Sequence, residues 1–433
     1  MQTFRDARNW TPRTKIYYGW IILGVASLGT FASTGSAQVT LAGVQGFILA
    51  ETGWDRESLA IGVTIGTWTA GILTPLVGYL ADRKGPRLFM PIAVIVVGVC
   101  FYFLAGASTL LQFSAAYVIA RGIGTPVLIS VVPRTVVVNF FYRWRNLALG
   151  LISMARPFYG AINVQIISLL AIRSSWRNGY RIIGTYSILL SIPLILFMRK
   201  APEEIGLLPD GVRPDPIKTS EKEGQLQIEG EISWTSSEAM KTKALWLIGI
   251  SQFLIILTLG NVSFQLVPFL NHLGLSLPLA ALAWSLTSIL DSFSHPFWGF
   301  MSDKYSPRKL MFVGLPSVIV ATFLFLLVDD IKVAFGLVLL WGTSSGGLEV
   351  LGGMLLASYY GRNSYGTISG IIGPFQILGL GLGPTLGAFM FKMTNGYETL
   401  FLFSVASYIV ATFLIVVARR PIKHSNGIKF SQK

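Results

Sequence analysis

The chain has 433 residues, 52% of them hydrophobic and only 12% charged, with a mean hydropathy of +0.62. A water-soluble domain carries about 25% charged residues, so this composition excludes an ordinary soluble protein and makes lipid the surrounding medium. The formal charge of +14 suggests nucleic acid as a partner, a reading that fails once the basic residues are placed along the chain.

A hydrocarbon core of ~30 Å takes about 20 apolar residues as helix. Twelve such stretches are predicted, at 17–42, 58–80, 88–106, 110–140, 147–171, 178–198, 244–271, 277–301, 310–328, 332–358, 364–391 and 397–418. The runs are long and lack strict polar/apolar alternation, which favours helices over barrel strands. The fold class is therefore all-α membrane protein, with twelve helices in two pseudo-symmetric six-helix bundles. The N-terminal bundle covers 1–198, a linker 199–243, and the C-terminal bundle with its tail 244–433.

The first span follows a basic start (Arg5, Arg8, Arg13, Lys15) and reads as uncleaved, with no small-residue cleavage site evident. With the N-terminus inside, 25 of the 34 Lys and Arg fall on the inner face and six outside. The remaining three, Arg121, Arg134 and Arg156, lie within helices. This is the positive-inside asymmetry, and an even number of spans places both termini in the cytoplasm. The location expected is the plasma membrane or a bacterial inner membrane. Arg173, Arg177 and Arg181 on the outer side run against the rule locally.

The linker holds nine of the 20 acidic residues along with Pro202, Pro209, Pro214 and Pro216, so it reads as polar cytoplasmic chain with a short surface helix. Cys100, the single cysteine, excludes an internal disulfide. The three histidines are too scattered for a metal site by spacing, and His272 and His424 read as loop and tail residues. No cofactor is expected. The aromatics read mainly as interfacial belt and lipid-facing packing, while Trp68 and Tyr159 are candidates to line a cavity.

The most informative feature is a repeat. Gly78-Tyr79-Leu80-Ala81-Asp82-Arg83-Lys84-Gly85-Pro86-Arg87 returns 221 positions later as Gly299-Phe300-Met301-Ser302-Asp303-Lys304-Tyr305-Ser306-Pro307-Arg308. Each copy lies in a short break between two apolar runs. The start of span five after Phe141-Tyr142-Arg143-Trp144-Arg145-Asn146 and of span eleven after Tyr359-Tyr360-Gly361-Arg362-Asn363 repeats in the same way. Two-bundle membrane proteins of this kind mostly move solutes by rocking one half against the other. In each loop the glycine permits close helix approach, the aspartate can bond an arginine or a neighbouring helix N-terminus, and the proline opens the next helix. A gate is the reading: Asp82 with Arg83, Arg87 and Arg134 on the inner side, and Gly299, Asp303 and Arg308 as the second copy. The competing reading is a solvated turn that only orients the chain.

The pattern resembles the major facilitator superfamily over essentially the whole chain, through the two Asp-(Arg/Lys)-x-x-Pro-Arg loops. Within it the chain is most similar to the monocarboxylate and oxalate–formate transporter branch. The residues that carry this are Tyr18-Gly19-Trp20, Gly53-Trp54-Asp55-Arg56-Glu57, Arg143-Trp144-Arg145-Asn146-Leu147-Ala148-Leu149-Gly150 and Pro202-Glu203-Glu204-Ile205-Gly206-Leu207-Leu208-Pro209-Asp210-Gly211.

Ionisable groups deep in a span cost ~2.5–3.5 kcal/mol each on insertion scales, so each asks for a partner or a purpose. Five are of interest: Arg121 on span four, Arg156 on span five, Asp291 and His295 on span eight, and Glu349 on span ten. At ~1.5 Å per residue from the inner ends, Arg156, Asp291, His295 and Glu349 fall near one level. Asp291 and His295 share a helical face at i and i+4, as do Arg156 and Asn163 seven apart. In the monocarboxylate branch span eight typically reads Asp-x-x-x-Arg-Pro, with Arg on the substrate carboxylate and Asp in proton coupling. Here Asp291 matches and His295 stands in place of the Arg, a change from a fixed charge to a switchable one. Arg156 is the candidate replacement, offering its fork of donors from the opposite half.

Alternatives stand beside these roles. Arg121 could contact substrate or bond helix carbonyls; Arg156 could hold substrate or pair permanently with Glu349; His295 could cap the break at Pro296. Asp291 could carry a proton, and the glycines around Glu349 could reflect packing alone.

The function expected is secondary active transport by alternating access, with a small organic anion such as a monocarboxylate as substrate and a proton as coupling ion. Substrate binding is assigned to Arg156, His295, Arg121, Tyr159 and Asn163, and proton coupling to Asp291 and Glu349. Export of lipophilic or cationic compounds is the alternative, and a non-transporting membrane receptor the second. No Walker loop, His-Glu-x-x-His or Gly-x-Ser-x-Gly is present, so neither ATP-driven pumping nor an enzyme is expected.

Overall fold

The computed structural model describes residues 16–211, 234–328 and 330–423. His424 and the basic start lie outside these. The described residues are helical, joined by short turns, and ten helices are long and apolar enough to cross a membrane. Eight of the ten are α3 (Arg56–Lys84), α4 (Pro86–Gly106), α7 (Arg145–Arg173), α8 (Trp176–Phe197), α10 (Lys243–His272), α12 (Pro307–Leu324), α14 (Tyr365–Thr394) and α15 (Glu398–Val417). The ninth, α13 (Ile331–Tyr360), opens on Asp330, whose side chain accepts from the Lys332 amide.

The tenth is a compound element. The single run expected at 110–140 is α5 (Leu110–Gly124), a π-helical turn Thr125–Ser130 and α6 (Val131–Phe140). Pro126 lies in that turn. A proline removes one ladder donor, and the wider π turn is a standard way to absorb the loss.

Span one differs from its expected form. The apolar run expected at 17–42 is two helices, α1 (Tyr18–Thr34) and α2 (Gln38–Thr52), separated by Gly35, Ser36 and Ala37. The helix at the eighth position is α11 (Leu277–Tyr305), 29 residues long and carrying both Asp291 and His295.

Prolines inside α3, α7, α10, α11, α12 and α14 are tolerated because neighbouring helices shield the freed carbonyls. In the first half α4 packs on α8 and α3 on α5; in the second α10 packs on α14 and α15, and α11 and α12 on α13. Contact between the halves runs through α3 with α14, α7 with α11 and α13, and α6 with α14.

The short linker helix is α9 (Ser236–Met240), closed by a reciprocal capping box between Thr235 and Glu238. Before it come two 3-10 turns, Pro202–Ile205 and Pro209–Gly211.

Candidate functional site

Two levels of the molecule hold most of the residues singled out by sequence. The lower is the face where the linker begins and ends. Asp82, near the end of α3, accepts from the amides of Gly366 (2.9 Å) and Thr367 (2.6 Å) and from the Thr367 hydroxyl (2.6 Å). These are first-turn donors of α14, in the opposite half, which have no carbonyl partner inside their own helix.

Asp303, at the end of α11, does the same to α7: it accepts from the amides of Asn146 and Leu147, both at 3.0 Å. Each aspartate thus sits on the positive end of a helix from the other half. The glycine one turn earlier makes this possible. A Cβ on Gly78 would stand 2.2 Å from the Gly366 carbonyl oxygen, and one on Gly299 2.5 Å from that of Asn146.

The arginines of the repeated loops behave differently. Arg83 Nη1 donates to the Tyr79 hydroxyl at 2.6 Å, and Arg308 Nη2 to the Val416 carbonyl at 2.9 Å, each within its own half. Arg87 opens α4 just after Pro86. The contact between the halves is therefore aspartate to helix start, and the sequence reading missed its partners Gly366, Thr367, Asn146 and Leu147. The signal was present in the repeated approach to spans five and eleven.

Further contacts close the same face. Arg362, in the turn before α14, pairs with Glu203 Oε1 at 2.7 Å and donates to the Asn139 carbonyl at 3.4 Å, joining the linker and the end of α6 to the second half. Asp210 accepts from the amides of Tyr142 (3.2 Å) and Arg143 (2.6 Å) in the turn before α7.

The upper level is built by α7, α11 and α13. Arg156 on α7 meets Glu349 on α13 as a two-pronged pair, Nη1 to Oε1 at 3.1 Å and Nη2 to Oε2 at 3.2 Å. Its side chain is 47% exposed against 14% for Glu349. Guanidinium and carboxylate match in such a fork, which fixes orientation as well as charge.

Asp291 Oδ2 stands 3.9 Å from His295 Nε2, near enough for charge but too far for a hydrogen bond. Both ring nitrogens of the buried His295 accordingly lack a hydrogen-bond partner among the described residues. Asp291 lies within electrostatic reach of Glu349 and Arg156, and His295 of those two and of Arg134. Arg134, on α6, has a buried Nε without a hydrogen-bond partner among the described residues. Arg134 also lies beside Gly353 and Tyr365, the residue that opens α14, so it faces the lower level as well as this cluster.

Three assigned residues lie elsewhere. Arg121 is buried, its Nε donating to Thr67 Oγ1 at 3.1 Å and its Nη1 to the Ser36 carbonyl at 3.2 Å. It braces the break between α1 and α2. Asn163 is fully buried, donating to the Phe31 carbonyl (3.0 Å) and Thr34 Oγ1 (2.8 Å) and accepting from the Tyr186 hydroxyl. Tyr159 packs on Phe31 with centroids 5.0 Å apart and meets Ser27 Oγ at 3.3 Å. All three tie α1 or the break after it to neighbouring helices. Arg156 and Asn163 share a helical stripe, yet Arg156 reaches the second half and Asn163 stays in the first.

Against this geometry, the family model of the Major Facilitator Superfamily matches residues 26–384 and 248–432. The chain belongs to that superfamily. It is a multi-pass membrane transporter, a family and fold without catalytic chemistry as their function.

An uncharacterized transporter of the superfamily from Bacillus subtilis is 23% identical over 349 residues, 79% of this chain and 81% of its own. The oxalate:formate antiporter of Oxalobacter formigenes is 24% identical over 373 residues, 80% and 79% of the two chains. In structure, the Escherichia coli fucose:proton symporter superposes with a TM-score of 0.70 at 13% identity, covering 94% of this chain and all of that one.

Proposed function

We propose that this facilitator carries a small organic anion, such as a monocarboxylate, together with a proton, by alternating access. The observation that carries the reading is the Arg156–Glu349 fork, which spans the two halves beside Asp291 and His295. A guanidinium held by an internal carboxylate is a site where a second carboxylate can compete. Protonation of Glu349 or Asp291 weakens the internal partner, and the substrate carboxylate takes its place on Arg156, so anion and proton travel together. His295, buried and switchable, stands where it can donate to the anion's second oxygen. The likeness to the oxalate:formate antiporter favours a carboxylate substrate.

In this reading residues 1–198 and 244–433 are the rocking bundles and 199–243 the tether. The basic-residue asymmetry puts tether and termini in the cytoplasm. Asp82 and Asp303 then close the cytoplasmic side, and the described conformation has its pathway shut there.

The test is counterflow in proteoliposomes with labelled oxalate, formate, lactate and a cationic amine, with and without an imposed proton gradient. Wild type should exchange a carboxylate and not the amine, and Arg156→Ala should lose at least about tenfold in initial rate. Normal anion uptake by Arg156→Ala, or trapping of the amine alone, would defeat the proposal.

A further inference from the structure

A cavity of about 580 Å³ lies on the linker face, between α9, the start of α10 and the end of α15. It shares no residue with the Arg156 site. Four cations line it: Lys241, Lys243, Arg419 and Lys423. The one acid in the lining, Glu238, is already matched, because its Oε2 lies 2.9 Å from Lys423 Nζ. Lys423 also stands over the Trp234 ring at 5.7 Å. Among the described residues of the lining, three positive charges have no carboxylate partner.

The other walls are apolar. Leu247 from α10 and Val417 and Ile422 from the end of α15 and its extension line the cavity, with Val417 47% and Ile422 79% exposed. Trp246, an exposed indole, donates Nε1–H to the Met240 carbonyl at 2.9 Å beside it, the placing of an interfacial aromatic. Cations beside exposed aliphatic side chains at the end of α15, with the part-buried Leu247 of α10, form an amphiphilic recess. Basic pockets of this kind, at the ends of membrane helices, suit the head groups of acidic lipids. A free anion would use the cations and leave the aliphatic walls in water.

We propose that this recess binds an acidic phospholipid, its phosphate between Lys241, Lys243 and Arg419 and its first acyl carbons on Leu247, Val417 and Ile422. The occupant would also steady the linker. The Trp234 amide donates to the Tyr360 carbonyl at 3.0 Å, and the Thr242 and Tyr360 hydroxyls are 2.6 Å apart, so α9 is fastened to the end of α13 just before the Asp82 latch.

The experiment is native mass spectrometry of the purified full chain with phosphatidylglycerol, phosphatidylcholine or inorganic phosphate, at low and high salt. Phosphatidylglycerol should be retained in preference to phosphatidylcholine, and Lys241→Gln/Lys243→Gln/Arg419→Gln should weaken that retention about tenfold or more. Lys241→Arg/Lys243→Arg keeps the charges and should retain the lipid as wild type does, which separates loss of the site from loss of fold. Equal retention of the two lipids, or a glutamine variant that binds normally, overturns the proposal. Displacement of the lipid by inorganic phosphate assigns the cations to a free anion and overturns it as well.

Discussion

At the scale of single residues, the Arg156–Glu349 fork is a strong interaction in the wrong solvent for either partner alone. Removing one member of a largely desolvated pair strands the other, at ~3–5 kcal/mol for fully buried cases. Arg156 is half exposed, so the penalty here is smaller, on the order of 1–3 kcal/mol. Arg156→Gln should therefore lower the thermal unfolding midpoint more than Arg156→Gln/Glu349→Gln does, measured in detergent by tryptophan fluorescence. Equal midpoints would mean that the fork adds nothing beyond its geometry.

Ser306 gives a second test. It occupies the position of Gly85 in the repeat, and both have positive φ, 69° and 76°. Non-glycine residues held in such conformations cost ~1–3 kcal/mol. Ser306→Gly should raise the midpoint, and Gly85→Ala, whose Cβ would also meet Lys200 at 3.0 Å, should lower it.

Among elements, the short helix α9 persists through its caps rather than its length. The Thr235 amide donates to Glu238, and Lys423 pairs with the same carboxylate at 2.9 Å. These two contacts, the amide first, pull the Glu238 carboxyl down to about 2 from its ordinary 4.5. A depressed carboxyl stabilises above its unfolded value and loses that contribution as acidity passes the folded one. The docking of tail on linker should thus hold near pH 5 and fade between pH 4.5 and about 2. The Trp234 signal, isolated by subtraction of a Trp234→Phe spectrum, reads it; a midpoint near 4.5 would show that the capping contacts are not formed.

Element positions were largely legible in the sequence because burying a backbone in hydrocarbon needs uninterrupted apolar helix. The exceptions have local causes. Gly35-Ser36-Ala37 breaks the first run where Arg121 takes the Ser36 carbonyl, a contact 85 residues away that no window along the chain can register.

For the whole molecule, the repeat is conserved as scaffold and divergent as chemistry. Gly150 on α7 crowds the His295 carbonyl and Pro296, and Gly370 on α14 crowds the Thr74 carbonyl and Pro75, so His295-Pro296 and Thr74-Pro75 are mates. By the same register the mate of Arg156 is Gln376, which meets Gln252 at 3.5 Å instead of a carboxylate. Sequence could show that Arg156, Asp291, His295 and Glu349 share a level, because helical rise converts residue count to depth. It could not show that Asn163 turns inward while Arg156 reaches across, since both lie on one stripe and only the neighbouring helices distinguish them.

The two latches allow a final test of whether the halves move as bodies. Asp82 holds three donors and Asp303 two backbone amides, with no residue in common. If they are two ends of one closure, weakening either must open both. Asp→Asn keeps one acceptor oxygen and removes the charge, a loss of about 1–2 kcal/mol, or ~5–30-fold in the open population. Amide hydrogen exchange at 146–147 and at 366–367 reads each latch separately. Asp303→Asn should speed exchange at both pairs by a similar factor, and so should Asp82→Asn, each variant also disturbing one side-chain bond, to Asn146 and to Thr367. The double variant should show the product of the two factors, as free energies of independent sites add. Faster exchange confined to the pair next to the altered aspartate would mean that each helix end frays by itself, and a rocking motion would lose its structural support.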